Sequence, residues 1–339
     1  MRRPNALFLP LLLSLWLPVL AASAESLVIA HRGASAYLPE HSLEAYALAY
    51  GQGADFLEPD LVMTADDHLI ALHDLTLEAT TNVAELFPDR ARADGGFYAV
   101  DFTLAEIRQL TMQERVEPAS GQARYPERWP VGAGRFRVVE FNELIEFTRE
   151  LNRATGRRVG LYPETKAPQF HAEQGKDIGA ALVSALLAHE LPTEDLPIFI
   201  QSFEPEPLIE IHAAHGDRFD LIQLIGLNDW DMNTVDYSAM VSAEGLSRVA
   251  EYAVGIGPVF SLLLEADAGE PLRPSALFRK SRELGLAMHP YTFRREGLPP
   301  ETSLEALLDL FIGELHIEGV FTDNPDVAVQ RRSVVAAQE

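Results

Sequence analysis

Short apolar segments recur along the chain at intervals that leave room for one helix each. They fall at 27–30, 55–62, 158–163, 197–201, 220–225, 253–256, 286–290 and 319–321. They are too short for helices, and several are rich in Val and Ile. Between them the spacing turns helical. Leu43, Tyr46, Ala47 and Tyr50 follow helix periodicity behind Ser42, a fitting N-cap. Leu304, Leu307, Leu308 and Phe311 do the same, with Thr302 and Glu305 matching a capping box. Eight strands alternating with helices predict an α/β chain folded as a parallel (β/α)8 TIM barrel. An open doubly wound sheet is the competing arrangement. One interval breaks the rhythm: between residues 55 and 158 the chain exceeds the roughly 35 residues of a normal unit by about 60. The surplus covers about 77–136, is rich in Pro, Gly and Arg, and holds a second capping box, Thr103-Leu104-Ala105-Glu106. It reads as a small insertion on the barrel rim, after the second strand region, rather than as a second domain.

Arg2 and Arg3 precede an apolar, leucine-rich run over 6–20, and Ala22-Ser23-Ala24 follows as a small-residue cleavage site. This is the pattern of a secretory signal peptide over 1–24, which leaves an exported, periplasmic domain over 25–335. An uncleaved anchor is the alternative, opposed by the short run and by Pro10 and Pro18. No later stretch approaches the ~18 apolar residues of a span, so no stable membrane insertion of the mature chain is expected. The chain carries 27 Lys+Arg against 51 Asp+Glu, a net charge of −24, and no cysteine. The acid excess argues against nucleic acid and anionic membrane surfaces as partners. Without cysteine there is no disulfide, thiolate nucleophile, Cys-ligated metal or lipid-bearing N-terminal cysteine. A metal would sit on oxygens or imidazoles, and a hard, oxygen-seeking cation is the natural candidate.

In a parallel barrel, chemistry sits at the C-terminal ends of the strands. The first strand runs into His31-Arg32-Gly33, which sets an imidazole and a guanidinium at the mouth. Arg32 there suits a phosphate, gripped by parallel hydrogen bonds; a capping His and a surface Arg are the plainer reading. The second ends Glu58-Pro59-Asp60. Residues i and i+2 of a strand share a face, so both carboxylates aim at one point. They repel unless a cation or a shared proton resolves them, or unless the edge is solvated. The run 69–72 leads into His73-Asp74, and two His near one phosphate would supply the base and the acid of a phosphodiester cleavage. Glu164 and Lys166 share a face at the end of the third strand. Glu164 would complete a three-carboxylate cation site and Lys166 would meet a phosphate oxygen; a surface ion pair is the alternative. Gln201-Ser202-Phe203, His289-Pro290-Tyr291-Thr292 and Phe321-Thr322-Asp323-Asn324-Pro325 close later strands and either line the pocket or shape loops. His-Glu-x-x-His, Gly-x-Ser-x-Gly and P-loop motifs are absent. The segment from Gly255 to Phe260 lacks the third glycine of a dinucleotide fingerprint.

His31-Arg32-Gly33, Pro39-Glu40-His41-Ser42, Glu58-Pro59-Asp60, His73-Asp74 and Glu164-x-Lys166, in that order, resemble the glycerophosphodiester phosphodiesterase family, and its periplasmic bacterial type in particular. The likeness extends over essentially the whole mature chain, including Phe87-Pro88-Asp89-Arg90-Ala91-Arg92 in the insertion. It departs at Ser42, Thr165 and Pro59. The resemblance implies a TIM barrel and one divalent cation, Ca²⁺ in the periplasmic type and often Mg²⁺ elsewhere. It implies hydrolysis of glycerophosphocholine, glycerophosphoethanolamine and similar diesters to sn-glycerol 3-phosphate and an alcohol. Glu58, Asp60 and Glu164 match the metal ligands, His31 and His73 the catalytic pair, and Arg32 and Lys166 the phosphate contacts. Gln201 and Phe203 are added as substrate-binding candidates. A periplasmic glycerophosphodiester-binding protein without catalysis is the alternative, and the oligomeric state is open, a homodimer included.

Overall fold

The computed structural model describes residues 25–230, 235–266, 272–298 and 301–338. The leader expected over 1–24 lies outside them. Eight staves run in parallel around one axis, two of them broken by proline. The first stave is β1 (Leu27–His31). The second is β2 (Phe56–Glu58), continued after Pro59 by β3 (Asp60–Met63), which turns back through β4 (Leu69–Ala71) as an antiparallel hairpin. The third is β5 (Gly160–Leu161) with β6 (Glu164–Thr165). β7 (Phe199–Ser202), β8 (Asp220–Ile225), β9 (Gly255–Pro258), β10 (Ala287–Met288) and β11 (Gly319–Thr322) complete the set.

Two hydrogen-bonded orders, β11–β1–β2–β5 and β10–β9–β8–β7–β6–β3–β4, share the second and third staves. The seam between the last two staves is bridged by Phe321 N–H to Pro290 O at 3.0 Å and Phe293 N–H to Phe321 O at 2.8 Å. The ring is thus the predicted TIM barrel. Among the described residues a main outer-layer helix follows each stave: α1 (Leu43–Gln52), α2 (Phe141–Thr155), α3 (Ile178–Ala188), α4 (Pro205–His215), α5 (Ala243–Val249), α6 (Ala276–Leu284), α7 (Leu304–Leu308) and α8 (Pro325–Ala336). Their apolar faces and the outer faces of the staves form the main core.

The breaks in the second and third staves have a common cause. Proline has no N–H to give to a ladder, so Pro59 and Pro163 interrupt pairing while their carbonyls still accept, from Glu164 N–H at 2.9 Å and Gln201 N–H at 3.0 Å. The lumen below the breaks is filled by Ile29, Phe56, Tyr162, Ile222 and Phe321. Phe56, Phe199 and Phe321 each set a ring within 5.9 Å of Tyr162, centroid to centroid. Gly160 permits this, because a Cβ there would lie 2.2 Å from the Phe56 ring and 2.6 Å from Pro197 O.

Details of two helices differ from the sequence reading. Ser42 does cap α1, accepting from Ala45 N–H, but Ala47 is exposed, and the buried face is Ala45, Tyr46, Ala49 and Tyr50. α7 begins one residue later than predicted. Ser303 caps it by accepting from Ala306 N–H at 3.1 Å, so no acid stands at the third position, and Glu305 pairs instead with Arg295 at 2.8 Å. Phe311 falls in the π-helical turn Asp309–Glu314 that follows.

The long segment between β4 and α2 builds a small core of its own. Val62, Ile70 and Leu72 from the hairpin pack with Phe97, Phe102, Ile107, Met112 and Phe136. Its short helix Leu104–Ile107 has the expected capping box between Thr103 and Glu106. Among the described residues no helix is long and apolar enough to cross a membrane.

Candidate active site

The strand register places the acidic groups. β1 pairs with β2 so that His31 stands beside Glu58. β3 pairs with β6 so that Asp60 stands beside Glu164, and Glu164 stands beside Gln201 of β7. Glu58, Asp60 and Glu164 are buried, and one oxygen of each lies within 4.8 Å of those of the other two. Glu58 and Glu164 line a cleft of ≈ 770 Å³, with Asp60 buried beside them; His31, Arg32, His73, Lys166, Gln201 and Phe203 also line it. The residues singled out in the sequence therefore converge on one place.

Each carboxylate is held differently. Glu58 accepts from the backbone N–H of Arg32 at 2.8 Å and from Gln201 Nε2 at 3.0 Å. Arg32 makes the first bond with φ 61, a left-handed conformation for a residue with a side chain. Asp60 gathers the nitrogens: His41 Nε2 at 2.9 Å, Arg32 Nε at 3.1 Å and, more distantly, Lys166 Nζ at 3.8 Å. Lys166 also pairs with Glu164 at 2.8 Å. The charge states follow. Burial, then repulsion from Asp60 and Glu164, raises the Glu58 carboxyl well above its usual range. Burial pushes Glu164 up to about 8 although Lys166 opposes it. Burial also acts on Asp60, but Lys166 and Arg32 overcome it and hold Asp60 well below the usual range.

The triad fits a divalent cation. Two oxygens across a cation at about 2.4 Å each would be about 4.8 Å apart, so the three oxygens can share one ion of the Ca²⁺ class. Gln201 Oε1, buried beside them, has no hydrogen-bond partner among the described residues.

The two histidines flank this cluster. His31 Nδ1 lies 2.6 Å from Asp323 Oδ1, and His73 Nδ1 lies 2.6 Å from Asp74 Oδ1. Both aspartates are held well below their usual pKa despite burial, His31 and Arg128 acting on Asp323 and His73 and Arg115 on Asp74. Each is an ionised acceptor, so each ring keeps its proton on Nδ1 and turns Nε2 to the cleft. Burial, with Arg32 next, lowers the His31 pKa; burial, Arg32 and Lys166 push His73 down to about 3. Both rings are neutral at neutral pH in this state.

The sequence reading did not assign roles to Asp323, Arg115, Arg128 or His41. Asp323 was visible only as a strand-end polar residue. His41, fully buried between Tyr46 and Asp60, sat in a recognised motif without a role. No local signal marks the two arginines, whose partners are 41 and 195 residues away.

The sequence profile of the Glycerophosphoryl diester phosphodiesterase family matches residues 31–327. The chain belongs to this family. A glycerophosphodiester phosphodiesterase of Haemophilus influenzae is 37% identical over 91% of this chain and 90% of its own. One of Treponema pallidum is 31% identical over 94% and 96%. Among solved structures, an Oleispira antarctica phosphodiesterase in complex with the product sn-glycerol-3-phosphate superposes with a TM-score of 0.61 at 20% identity, covering 91% of this chain and 96% of that one. A glycerophosphodiester phosphodiesterase of Agrobacterium tumefaciens gives 0.57 at 21% identity, over 90% and 99%. These likenesses, below a quarter identity, speak for the fold; family and enzyme class, a glycerophosphodiester phosphodiesterase, rest on the profile and the closer relatives.

The raised carboxyls make a prediction for this enzyme. Glu58 and Glu164 hold protons near neutrality, and a cation binds their ionised forms, so binding must release protons. Affinity for a divalent cation is expected to strengthen as pH rises towards about 8, where Glu164 is half ionised, and to level off above it as far as Glu164 is concerned. Calorimetric titration in buffers of different ionisation enthalpy reads the proton count directly. Binding with no proton release would refute these charge states.

Proposed function

We propose that the enzyme hydrolyses glycerophosphodiesters, glycerophosphocholine and glycerophosphoethanolamine among them, to sn-glycerol 3-phosphate and the free alcohol by two-histidine acid–base catalysis. The observation that carries this reading is the pair of imidazoles, each anchored through Nδ1, facing one cleft beside a buried carboxylate triad. Glu58, Asp60 and Glu164 would hold the divalent cation, Ca²⁺ before Mg²⁺. When bound, it would supply positive charge against the charge that develops on the phosphate.

The remaining work falls to the chain. Arg32 and Lys166 border the cleft and would steady the phosphate, and Phe203, which also lines it, would pack against the substrate. One Nε2 takes the proton of the attacking hydroxyl as its oxygen bonds to phosphorus. The other ring, neutral in the empty cleft, takes up a proton from solvent on Nε2 as the anionic diester docks, and gives it to the departing oxygen as that P–O bond breaks. The attacking group is the glycerol 2-hydroxyl, which yields a cyclic phosphate opened later by water; direct attack by water is the second route. A protein that only binds the diester is not favoured, because binding has no use for two imidazoles fixed in this way.

Release of sn-glycerol 3-phosphate from glycerophosphocholine tests the reading. His31→Ala and His73→Ala should each lower kcat by ~10²–10⁴-fold. Near-normal turnover in both would overturn it.

We also place the mature enzyme in the periplasm, on the basic–apolar–small pattern of the first 24 residues. Cell fractionation with N-terminal sequencing should find a chain starting near Glu25 in the periplasmic fraction. A full-length chain in the cytoplasm would contradict this.

A further inference from the structure

The two histidines are supported alike, and both supports come from the insertion. Arg115 Nη1 donates to Asp74 Oδ2 at 2.6 Å, and Asp74 holds His73. Arg128 Nη2 donates to Asp323 Oδ2 at 2.6 Å, and Asp323 holds His31. Each guanidinium is itself gripped by a glutamate through Nε and Nη2: Arg115 by Glu40 at 3.0 and 2.7 Å, and Arg128 by Glu296 at 2.6 and 2.9 Å. Two chains of the form Glu–Arg–Asp–His result. In each, the barrel supplies Glu, and the insertion reaches in with Arg. The arginine side chains are 15% and 4% exposed, so they are anchored and not loosely hung over the rim.

The chemistry of the fork explains the residue type. An aspartate that accepts from Nδ1–H fixes the tautomer, and it holds the ring plane more firmly when its own second oxygen is held. A guanidinium presents several coplanar donors, so it can clamp a glutamate with one edge and reach an aspartate with another. Lysine, a single point charge, cannot do both in one plane. Arg128 gains further rigidity from Ser35 O at 3.1 Å and from the Tyr125 ring at 4.0 Å.

We infer that the insertion is a working part of the active site: Arg115 and Arg128 are positioning residues that hold His73 and His31 in register with the scissile phosphate. The inference rests on the two-histidine reading above. In it, one ring serves as the base and the other as the acid, so the two arginines act on different halves of the reaction.

The test compares the full-length enzyme with Arg115→Ala, Arg115→Lys, Arg128→Ala and Arg128→Lys on two esters, glycerophosphocholine and glycerophospho-p-nitrophenol. The lysine variants keep the charge where an alanine variant fails to fold, and near-UV circular dichroism reports the fold. On the choline ester kcat should fall ~10–100-fold, the usual cost of losing a group that orients a functional side chain, with KM changed far less. The nitrophenolate leaves without a proton, so the loss from one arginine, the one behind the acid, should largely vanish on that ester, while the loss from the other persists. Folded variants with kcat within about twofold of the parent on the choline ester would overturn the inference. So would losses by the same factor on both esters for both arginines, the mark of a general structural effect. His31→Ala and His73→Ala, run alongside, keep the two failures apart. Inactive histidine variants with fully active arginine variants sink this inference alone, and active histidine variants sink the reading beneath it.

Discussion

Three carboxylates share a buried point at the mouth of the barrel, and most of what surrounds them answers that repulsion. Two unit charges 4–5 Å apart repel by about 4 kcal/mol at an effective dielectric near 20, against about 1 kcal/mol in water. The protein resolves this by treating the three unequally. Asp60 collects Arg32, His41 and Lys166 and stays ionised, while Glu58 is given neutral donors and keeps its proton. The backbone serves the same end. Pro59 and Pro163 break two staves at the level of the acids, and Arg32 and His41 adopt φ 61 and 62. Such conformations cost of order 1–3 kcal/mol each and persist where the surroundings demand them.

The barrel and the insertion divide the remaining work. Below the acids, the rings of Phe56, Tyr162, Phe199 and Phe321 fill the lumen, exclude water from beneath, and raise the electrostatic stakes above. Above them, the rim segment closes over the hairpin and delivers two arginines to the aspartates behind the histidines. The site is thus rigid from two directions. That suits acid–base chemistry, in which the proton donor and acceptor must stay within hydrogen-bond reach of two oxygens on one phosphorus.

What the sequence disclosed follows from the range of each signal. The staves and their order were legible because apolar runs separated by helix-length intervals are local patterns. Glu58 with Asp60, and Glu164 with Lys166, were legible because a strand has period two. The capping box at Thr103 held, whereas the one at Thr302 did not, since Ser303 offers an equally good cap one residue on. The aspartate at 323 and the arginines at 115 and 128 were opaque for a different reason. Their roles exist only through contacts across the barrel mouth, and nothing in the neighbouring residues distinguishes them from surface charges.

The acid excess of the chain gains its meaning here. With a net charge of −24, the enzyme offers an anionic diester no general attraction, so binding must be won locally. Arg32 and Lys166 are already shared with Asp60 and Glu164, so under the proposed function a divalent cation would be the main source of positive charge at the cleft. The direct measurement is a titration of Ca²⁺ into the chelator-stripped enzyme, with release of sn-glycerol 3-phosphate followed alongside. The account predicts no turnover at the start and a rise that ends at one ion per chain. Full turnover by the stripped enzyme would contradict it.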